Sequence, residues 1–405
     1  MKPLFNRNFS EDFGRLIVAV ASLAVLLAAP LALAEDWPLV RGDLLGSGVT
    51  QHQLPDGLEV LWTFKAPDDA GFDATPVIAA GVVYVGDNAG AFHALKLSDG
   101  SPIWKKVYPD GSFASGAAIH NDRVYVGDLN GIVRCLSSAD GEQQWETNIE
   151  GEVYAGPTVL GNDVLVTSET GTLSWLNVAD GKMRLPQFKI DAPLRCMPTV
   201  SEGPVMLSGC DSLLHVINVA DGTESHTVPI DGPTGATAAM RDQRVYFGTE
   251  GGTFYAIDVP AAGAQPKVAW TYRDPRRGQP IRSAAAVSDE IVVYGSQGKA
   301  IYGLNPADGE EKWKITTRSR VESSPIIAGG IAVAATAAGK LYLIDAKSGE
   351  VKWENDFGGG FIASPAIADG QIIIANTDGT LYCLGSKDET NISATETTED
   401  TEIGQ

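Results

Sequence analysis

Lysine and arginine are scarce in this 405-residue chain, which has 30 of them against 51 aspartates and glutamates and a formal net charge of −21. Nucleic acids and anionic lipids bind proteins through clustered basic side chains, so this balance argues against both as partners. Charged residues make up only 20% of the chain, whereas glycines number 45 and prolines 22. That composition is typical of a turn-rich, well-buried fold and not of a helical or disordered chain.

Catalytic motifs are also lacking. The sequence contains no phosphate-binding loop, no nucleophile elbow and no zinc-protease helix. Its five histidines are scattered, with none at the spacing of metal ligands: His52, His93, His120, His215 and His226. Many of the aspartates lie in Asp-Gly turns, where the carboxylate caps the local backbone. We therefore predict no catalytic residue and no metal site.

The first 34 residues have the pattern of an export signal. Lys2, Arg7 and Arg15 precede an apolar run from Leu16 to Leu33, and Ala32-Leu33-Ala34 forms a small-x-small cleavage site. The alternative is an uncleaved anchor, since the apolar run approaches the length that spans a bilayer. We predict cleavage after Ala34, no stable membrane anchor afterwards, and a periplasmic or extracellular protein.

The other end of the chain has a different composition. Residues 386–405 are rich in threonine, glutamate and serine and nearly free of apolar side chains, so burial cannot offset the entropy of ordering them. We predict a disordered acidic tail here. Between the two ends we expect a lead-in segment over 35–57 and one folded domain over 58–385.

One unit recurs through that domain. Its first copy comprises Thr75–Ile78, Val82–Gly86 and Ala91–Leu95, followed by an Asp-Gly turn and Trp104. The residue at the Gly86 position recurs at steps of about 40 residues, with one longer step, a period typical of solenoids and propellers: Gly127, Thr167, Ser208, Gly248, Gly295, Ala335 and Ala375. Short Val, Ile and Tyr runs between glycine turns indicate antiparallel strands.

Counting the strands predicts a closed ring. There are eight sets of three strands but only seven places for a fourth: Trp104, Trp145, Leu185, Ser225 or His226, Trp270, Trp313 and Trp353. The segment Val60–Phe64, which contains Trp62, precedes the first set and can supply the missing strand to the last blade. We therefore predict an all-β, eight-bladed propeller of four-stranded antiparallel blades, closed by this N-terminal strand.

The turn segments Asp99-Gly100-x-x-x-Trp104, Asp308-Gly309-x-x-x-Trp313 and Ser348-Gly349-x-x-x-Trp353 resemble the tryptophan-docking repeats of the pyrroloquinoline-quinone (PQQ) propeller family. The resemblance covers Leu58 to Gly385 and implies that each such tryptophan, Trp62 included, packs between neighbouring blades. The family contains quinoprotein dehydrogenases and non-catalytic scaffolds such as BamB, so the fold does not fix the function.

Two functions follow from the resemblance. The first is a secreted or periplasmic scaffold or binding propeller that acts through a loop face or the central funnel, as a monomer, on an unidentified protein or small molecule. The second is a PQQ-dependent oxidoreductase of alcohols or sugars, for which the resemblance implies PQQ, calcium and often adjacent cysteines. The chain has no adjacent cysteines and no long insertions, so we expect a non-catalytic protein without a cofactor.

The four cysteines fall into two groups. Cys135 and Cys383 occupy the same repeat position in two blades, so we expect small buried thiols there. Cys196 and Cys210 lie on either side of the turn at Ser201–Pro204, and counting outward from that turn places them opposite each other. In an oxidising compartment we predict a disulfide between them, with two neighbouring free thiols as the alternative.

A ring of variable residues is predicted at the mouth of the channel, three positions before each counterpart of Pro76: Asp73, Phe113, Tyr154, Arg195, Gly235, Arg282, Glu322 and Ile362. This position varies among charged, aromatic and small side chains, as in a specific pocket. The alternative is a wet channel mouth that tolerates any side chain. In a real pocket Arg195 and Arg282 would hold an anion, because guanidinium matches carboxylate or phosphate. Asp73 and Glu322 would pair with them or meet a cation.

Overall fold

A computed structural model describes residues 36–201, 203–260, 263–276 and 278–387. The predicted leader at 1–34 lies outside the described residues, as does the predicted tail from residue 388 onward. Within the described residues, no helix is long and apolar enough to cross a membrane.

The described residues form eight four-stranded antiparallel blades in a ring, which confirms the predicted propeller. We number the blades 1 to 8 from Val77. The innermost strands are Val77–Ala79, Ala118–His120, Thr158–Leu160, Thr199–Val200, Ala239–Arg241, Ala286–Val287, Ile326–Ala328 and Ala366–Ala368. The second strands are Val82–Gly86, Arg123–Gly127, Asp163–Thr167, Pro204–Ser208, Arg244–Gly248, Val292–Ser296, Ile331–Ala335 and Gln371–Ala375.

The third strands are Ala91–Lys96, Ile132–Ser137, Thr172–Asn177, Leu213–Asn218, Thr253–Asp258, Ala300–Leu304, Lys340–Asp345 and Thr380–Gly385. The outer strands are Pro102–Val107, Gln143–Asn148, Phe188–Lys189, Glu224–Pro229, Lys267–Arg273, Glu311–Thr316, Val351–Asp356 and, for blade 8, Glu59–Lys65. The short strand Val49–Thr50 adds a fifth, parallel strand to blade 7, and the 3-10 helix Pro67–Asp69 lies outside the blades.

The burial of each strand follows its place in the blade. Most residues of the second strand Val82–Gly86 are buried, because blades pack on both of its faces. The outer strand Pro102–Val107 buries only Trp104 fully, so its other side chains are partly or wholly exposed to solvent. Apolar runs therefore fall in the middle of each blade, and alternating sequence falls at its rim.

The N-terminal strand closes the ring as predicted. Glu59–Lys65 pairs antiparallel with Thr380–Gly385, with Trp62 opposite Cys383. This pairing joins the start of the propeller to its end and gives blade 8 its outer strand. Trp62 is 9% exposed, against 9% for Trp104 and 8% for Trp313, which is the burial expected of an internal repeat position.

The outer-strand tryptophans lie against the next blade. Five of the indole rings contact the glycine of that blade's Asp-Gly-type turn: a Cβ added to Gly100, for example, would lie 2.5 Å from the Trp62 ring. Five indole Nε1 groups donate to a backbone carbonyl across the junction: Trp62 to Leu97 (2.7 Å), Trp104 to Ser138 (2.8 Å), Trp145 to Val178 (3.0 Å), Trp270 to Pro306 (3.0 Å) and Trp313 to Ala346 (2.8 Å). Trp353 is less buried than these.

Blade 3 departs from the predicted repeat. Leu185 does not lie on a strand; the outer strand is reduced to Phe188–Lys189. Pro186 accounts for the break, because proline has no N–H to give to the ladder. The indole comes instead from Trp175 on the third strand, which is fully buried near Gly222 of blade 4.

The predicted disulfide between Cys196 and Cys210 is wrong, since both thiols are free. The register pairs Val200 with Val205, so the position opposite Cys196 is residue 209, one before Cys210. An offset of one residue turns a side chain to the other face of the sheet. Cys196 is accordingly buried in the blade core, whereas the Cys210 Sγ donates to the Thr234 carbonyl of the next blade (3.6 Å).

We expect Trp62→Ala to lower the free energy of unfolding by about 3–5 kcal/mol, because it leaves a cavity at the junction that closes the ring. Chemical denaturation of the chain from residue 35 onward measures this loss. Trp353→Ala is the matched control and should cost less, since Trp353 is only half-buried. Equal losses for the two variants would contradict a special role for the closing strand.

We expect alkylation of the denatured, unreduced protein to label both Cys196 and Cys210. In the native protein Cys196 should stay unlabelled near neutral pH, because burial raises the pKa of its thiol to about 11 and keeps it protonated. Peptide mass spectrometry detects the alkyl label on each cysteine in the denatured and in the native protein. A linked peptide containing the two residues would contradict the register given above.

Candidate ligand site in the central channel

The innermost strands present one unpaired edge each to the axis of the ring, where backbone N–H groups need partners. The lead-in segment supplies them. Trp37 exchanges two hydrogen bonds of 2.9 Å with Ile78 of blade 1. Amides of five further blades donate to lead-in carbonyls at 2.8–2.9 Å: Ile119 to Pro38, Val200 to Leu44, Met240 to Leu45, Val287 to Ser47 and Ile327 to Gly48.

The lead-in ends as part of the fold. Val49–Thr50 pairs in parallel with Ile327 and Ala328 and extends blade 7 at the axis. The sequence predicts a lead-in over 35–57 but not its place in the channel. The clue available was the glycine-rich stretch after Arg41, which contains Gly42, Gly46 and Gly48 at positive φ.

Arg41 forms the floor of the channel. Its side chain is 1% exposed, and Nη2 donates to the carbonyls of Ala285 (2.9 Å) and Pro325 (2.8 Å). Burial lowers the pKa of the guanidinium to about 10. Its Nε has no hydrogen-bond partner among the described residues. A buried cation therefore lies directly beneath the channel.

Above Arg41 the channel widens into a cavity of about 350 Å³. Its lower wall is a ring with one residue from each blade: Thr75, Gly116, Gly156, Met197, Thr237, Ala284, Ser324 and Ser364. Neighbouring members are joined by backbone-to-hydroxyl hydrogen bonds across blade boundaries, such as Ser324 N to Ser364 Oγ (3.1 Å) and Ser364 N to Thr75 Oγ1 (3.0 Å). These hydrogen bonds therefore link blades 7, 8 and 1 across the point where the ring closes.

Most of the predicted mouth residues lie on the upper wall of this cavity: Asp73, Tyr154, Arg195, Gly235, Arg282 and Ile362. Glu322 lies beside them, with its Oε1 3.8 Å from Arg282 Nη1 and 3.1 Å from Arg320 Nε. Gln297 also donates to Glu322 at 2.6 Å. Asp73 does not pair with an arginine and instead accepts from Asn88 (3.1 Å).

The prediction of a mouth residue is wrong for Phe113. It is fully buried in the core of blades 1 and 2, where its ring lies against Gly86. The true counterpart of Asp73 is Ala114, which lines the cavity. Counting back from Gly116 instead of Ala117 displaced the prediction by one residue, because blade 2 has no proline to mark the position.

Both arginines at the mouth are held by glutamates that the sequence analysis missed. Arg195 bonds Glu169 through Nε (2.7 Å) and Nη2 (2.5 Å) and lies over the Tyr154 ring at 5.4 Å. Arg282 Nε donates to Glu250 (2.7 Å). These hydrogen bonds are the first cause of the raised pKa values of Arg195 and Arg282.

A repeat position would have revealed these glutamates. Glu169 and Glu250 each come two residues after a counterpart of Gly86, as do Asn88 and Gln297, which also bond to mouth residues. The two arginine side chains remain about half exposed, at 50% and 56%. They are therefore fixed in direction and still reachable by a ligand.

The mouth does not fit a quinone with calcium. No group of three or more His, Cys, Asp or Glu side chains in the described part of the chain could hold a metal ion. The carboxylates that face the mouth are engaged by Arg195, Arg282, Arg320, Gln297 or Asn88. We derive no chemical step through such a cofactor.

Comparison with known proteins gives one family. The model of the family described as outer membrane protein assembly factor BamB matches residues 47–126, 108–185 and 187–392. No curated protein matches the chain significantly.

Solved structures share the fold at low identity. BamB from Moraxella catarrhalis is 15% identical with a TM-score of 0.69, over 82% of this chain and 100% of that one. A quinohemoprotein alcohol dehydrogenase from Comamonas testosteroni is 14% identical with a TM-score of 0.70, over 92% and 82%. The computationally designed Ika8 protein is 14% identical with a TM-score of 0.71, over 81% and 100%. These likenesses establish the fold and leave the function open.

We expect Gly48→Ala to loosen the floor of the channel, because its Cβ would lie 2.1 Å from Arg41 Nη2. Gly161→Ala is the control: Gly161 has a similar positive φ (58° against 65°) but open space around the added atom. Both variants carry the backbone cost, and only Gly48→Ala adds overpacking of about 1–3 kcal/mol. Thermal unfolding measures the difference, and indistinguishable variants would contradict the tight contact.

Proposed function

The chain belongs to the family of the outer membrane protein assembly factor BamB, and on that premise we propose that it is an exported, non-catalytic binding or scaffolding propeller. It holds part of a partner protein at the mouth of its central channel. Arg195 and Arg282 receive an acidic side chain or a terminal carboxylate of that partner, while Tyr154 and Ile362 supply apolar contact.

The observation that carries this proposal is the blind channel. The lead-in and Arg41 fill the axis at the level of the innermost strands, so a ligand can enter only from the mouth. The arginines there are oriented in advance by Glu169 and Glu250, which lowers the entropy lost on binding. A fixed, half-exposed guanidinium at the rim of a closed cavity suits recognition more than transport through the ring.

Electrostatics favour a partner over a free anion. The chain as a whole is strongly acidic, with a net charge of −21, so small anions are repelled at long range. Each mouth arginine is also already neutralised by a carboxylate. An acidic group on a protein that makes further contacts can compensate for displacing or sharing those glutamates, whereas an isolated ion cannot.

Export rests on the sequence. The basic flank, the apolar run and the Ala32-Leu33-Ala34 site support removal of the first 34 residues and a periplasmic or extracellular location. The acidic surface supports action as a soluble monomer.

The second candidate is a PQQ-dependent oxidoreductase of alcohols or sugars, which the likeness to the Comamonas testosteroni dehydrogenase brings forward. No group of three or more His, Cys, Asp or Glu side chains among the described residues could hold the calcium ion, which argues against this enzyme. Mixing purified protein with PQQ and calcium should give no bound-cofactor absorbance and no dye-linked activity. Appearance of both would replace the scaffold proposal with the enzyme.

The main test uses a partner captured from the native cell envelope or medium. We expect the double variant Arg195→Ala and Arg282→Ala to bind it at least about tenfold more weakly, as for loss of hydrogen bonds to a charged group. Arg241→Ala is the control, because Arg241 is also ion-paired, with Asp289, but lies at the far end of an innermost strand. Unchanged affinity in the double variant would place the function on the outer faces.

A further inference from the structure

The blade junctions share one way of being filled. At five of them a tryptophan from the outer strand packs on the turn glycine of the next blade and donates its N–H to a carbonyl there. These carbonyls belong to Leu97, Ser138, Val178, Pro306 and Ala346, one per blade. At the junction of blades 3 and 4, Trp175 and Leu185 together fill the corresponding space beside the turn glycine Gly222.

The junction of blades 4 and 5 lacks this filling. His226 stands opposite Val216, as Trp270 stands opposite Ala256, so a histidine takes the tryptophan position. Gly263, which lies in the longer turn of blade 5 between Val259 and Pro266, has no described atom within 4 Å of an added Cβ, whereas Gly309 in the shorter turn of blade 6 would meet Trp270 at 2.5 Å. Among the described residues, no indole lies at this junction.

A cavity of about 250 Å³ lies at this junction. Its walls are mostly apolar and include Pro204, Val216, Val259, Pro260 and Pro266. Val259 corresponds to Leu97, because the amide of each donates to the turn between the first two strands of its blade. Its carbonyl therefore has the position that accepts an indole N–H at five other junctions.

The chain cannot supply the missing indole itself. It has eight tryptophans, and all of them lie in the described residues. Seven are buried at other sites, and Trp353 belongs to the outer strand of blade 7. An occupant must come from another molecule.

We propose that this cavity, defined by Pro204, Val216, His226, Val259 and Pro266, binds a tryptophan side chain of a partner polypeptide. Five other junctions are the template, because at each of them the same part of the fold is filled by an indole that donates to a backbone carbonyl. Tryptophan fits better than phenylalanine because the Val259 carbonyl offers an acceptor for the indole N–H. The site lies at the rim of the ring, stands apart from the channel mouth and does not depend on the function proposed there.

The probe for the test is N-acetyl-tryptophanamide, titrated into the mature protein and followed by methyl NMR. We expect saturable binding with shifts at Val216 and Val259. The 1-methylindole analogue, which lacks the N–H, should bind about three- to tenfold more weakly. No saturable binding, or shifts confined to other valines, would overturn the proposal without any variant being needed.

His226→Trp supplies the internal indole. We expect it to raise the melting temperature and to weaken probe binding at least tenfold, whereas His120→Trp, at a histidine outside the cavity, leaves probe binding unchanged. Equal probe affinity in His226→Trp and the original protein would overturn the proposal. So would concentration-dependent dimerisation that His226→Trp abolishes, because the occupant would then be a second copy.

Discussion

The unpaired inner edges of eight short strands impose the constraint on which this molecule depends. A propeller brings its innermost strands together around an axis, and each leaves backbone N–H groups that water alone would otherwise have to satisfy. Here residues 37–50 run through the axis and bond to six of the eight blades. The channel is closed by the chain's own backbone, and the cavity above Arg41 is a consequence of that closure.

Function is expected where the repeat varies while its scaffold stays fixed. The ladders, the turn glycines and the indole junctions repeat around the ring, so they report on stability. Two positions break the pattern without a structural need. One is the mouth ring, where Arg195 and Arg282 replace the small side chains of Ala114 and Gly235. The other is His226, which takes the position of an outer-strand tryptophan and lines a cavity.

The fold was predictable because its evidence is repeated. The period, the glycine turns and the orphan strand around Trp62 together determine eight blades and how they close. Single-residue placement was less secure, since a strand reverses its faces at every residue. One residue separates Phe113 from the mouth position at Ala114, and one residue separates Cys210 from the position opposite Cys196.

Two other features had only an indirect signal in the sequence. The place of the lead-in depends on hydrogen bonds to strands up to the opposite side of the ring, with no periodicity to indicate them. The glutamates that hold Arg195 and Arg282 come from the preceding blade, at a turn position that only the assembled ring brings to the mouth. The glycines after Arg41 and the turn position of Glu169 and Glu250 mark these features in the sequence, but only the three-dimensional arrangement shows what each one contacts.

The central claim is that the lead-in closes the channel, and hydrogen exchange tests it most directly. The amides of Ile119, Val200, Met240 and Val287 donate to lead-in carbonyls. In the mature protein they should exchange as slowly as amides in the middle of the blades, such as that of Tyr84. Exchange at the rate of surface loops would mean that the axis is open and that the cavity has no floor.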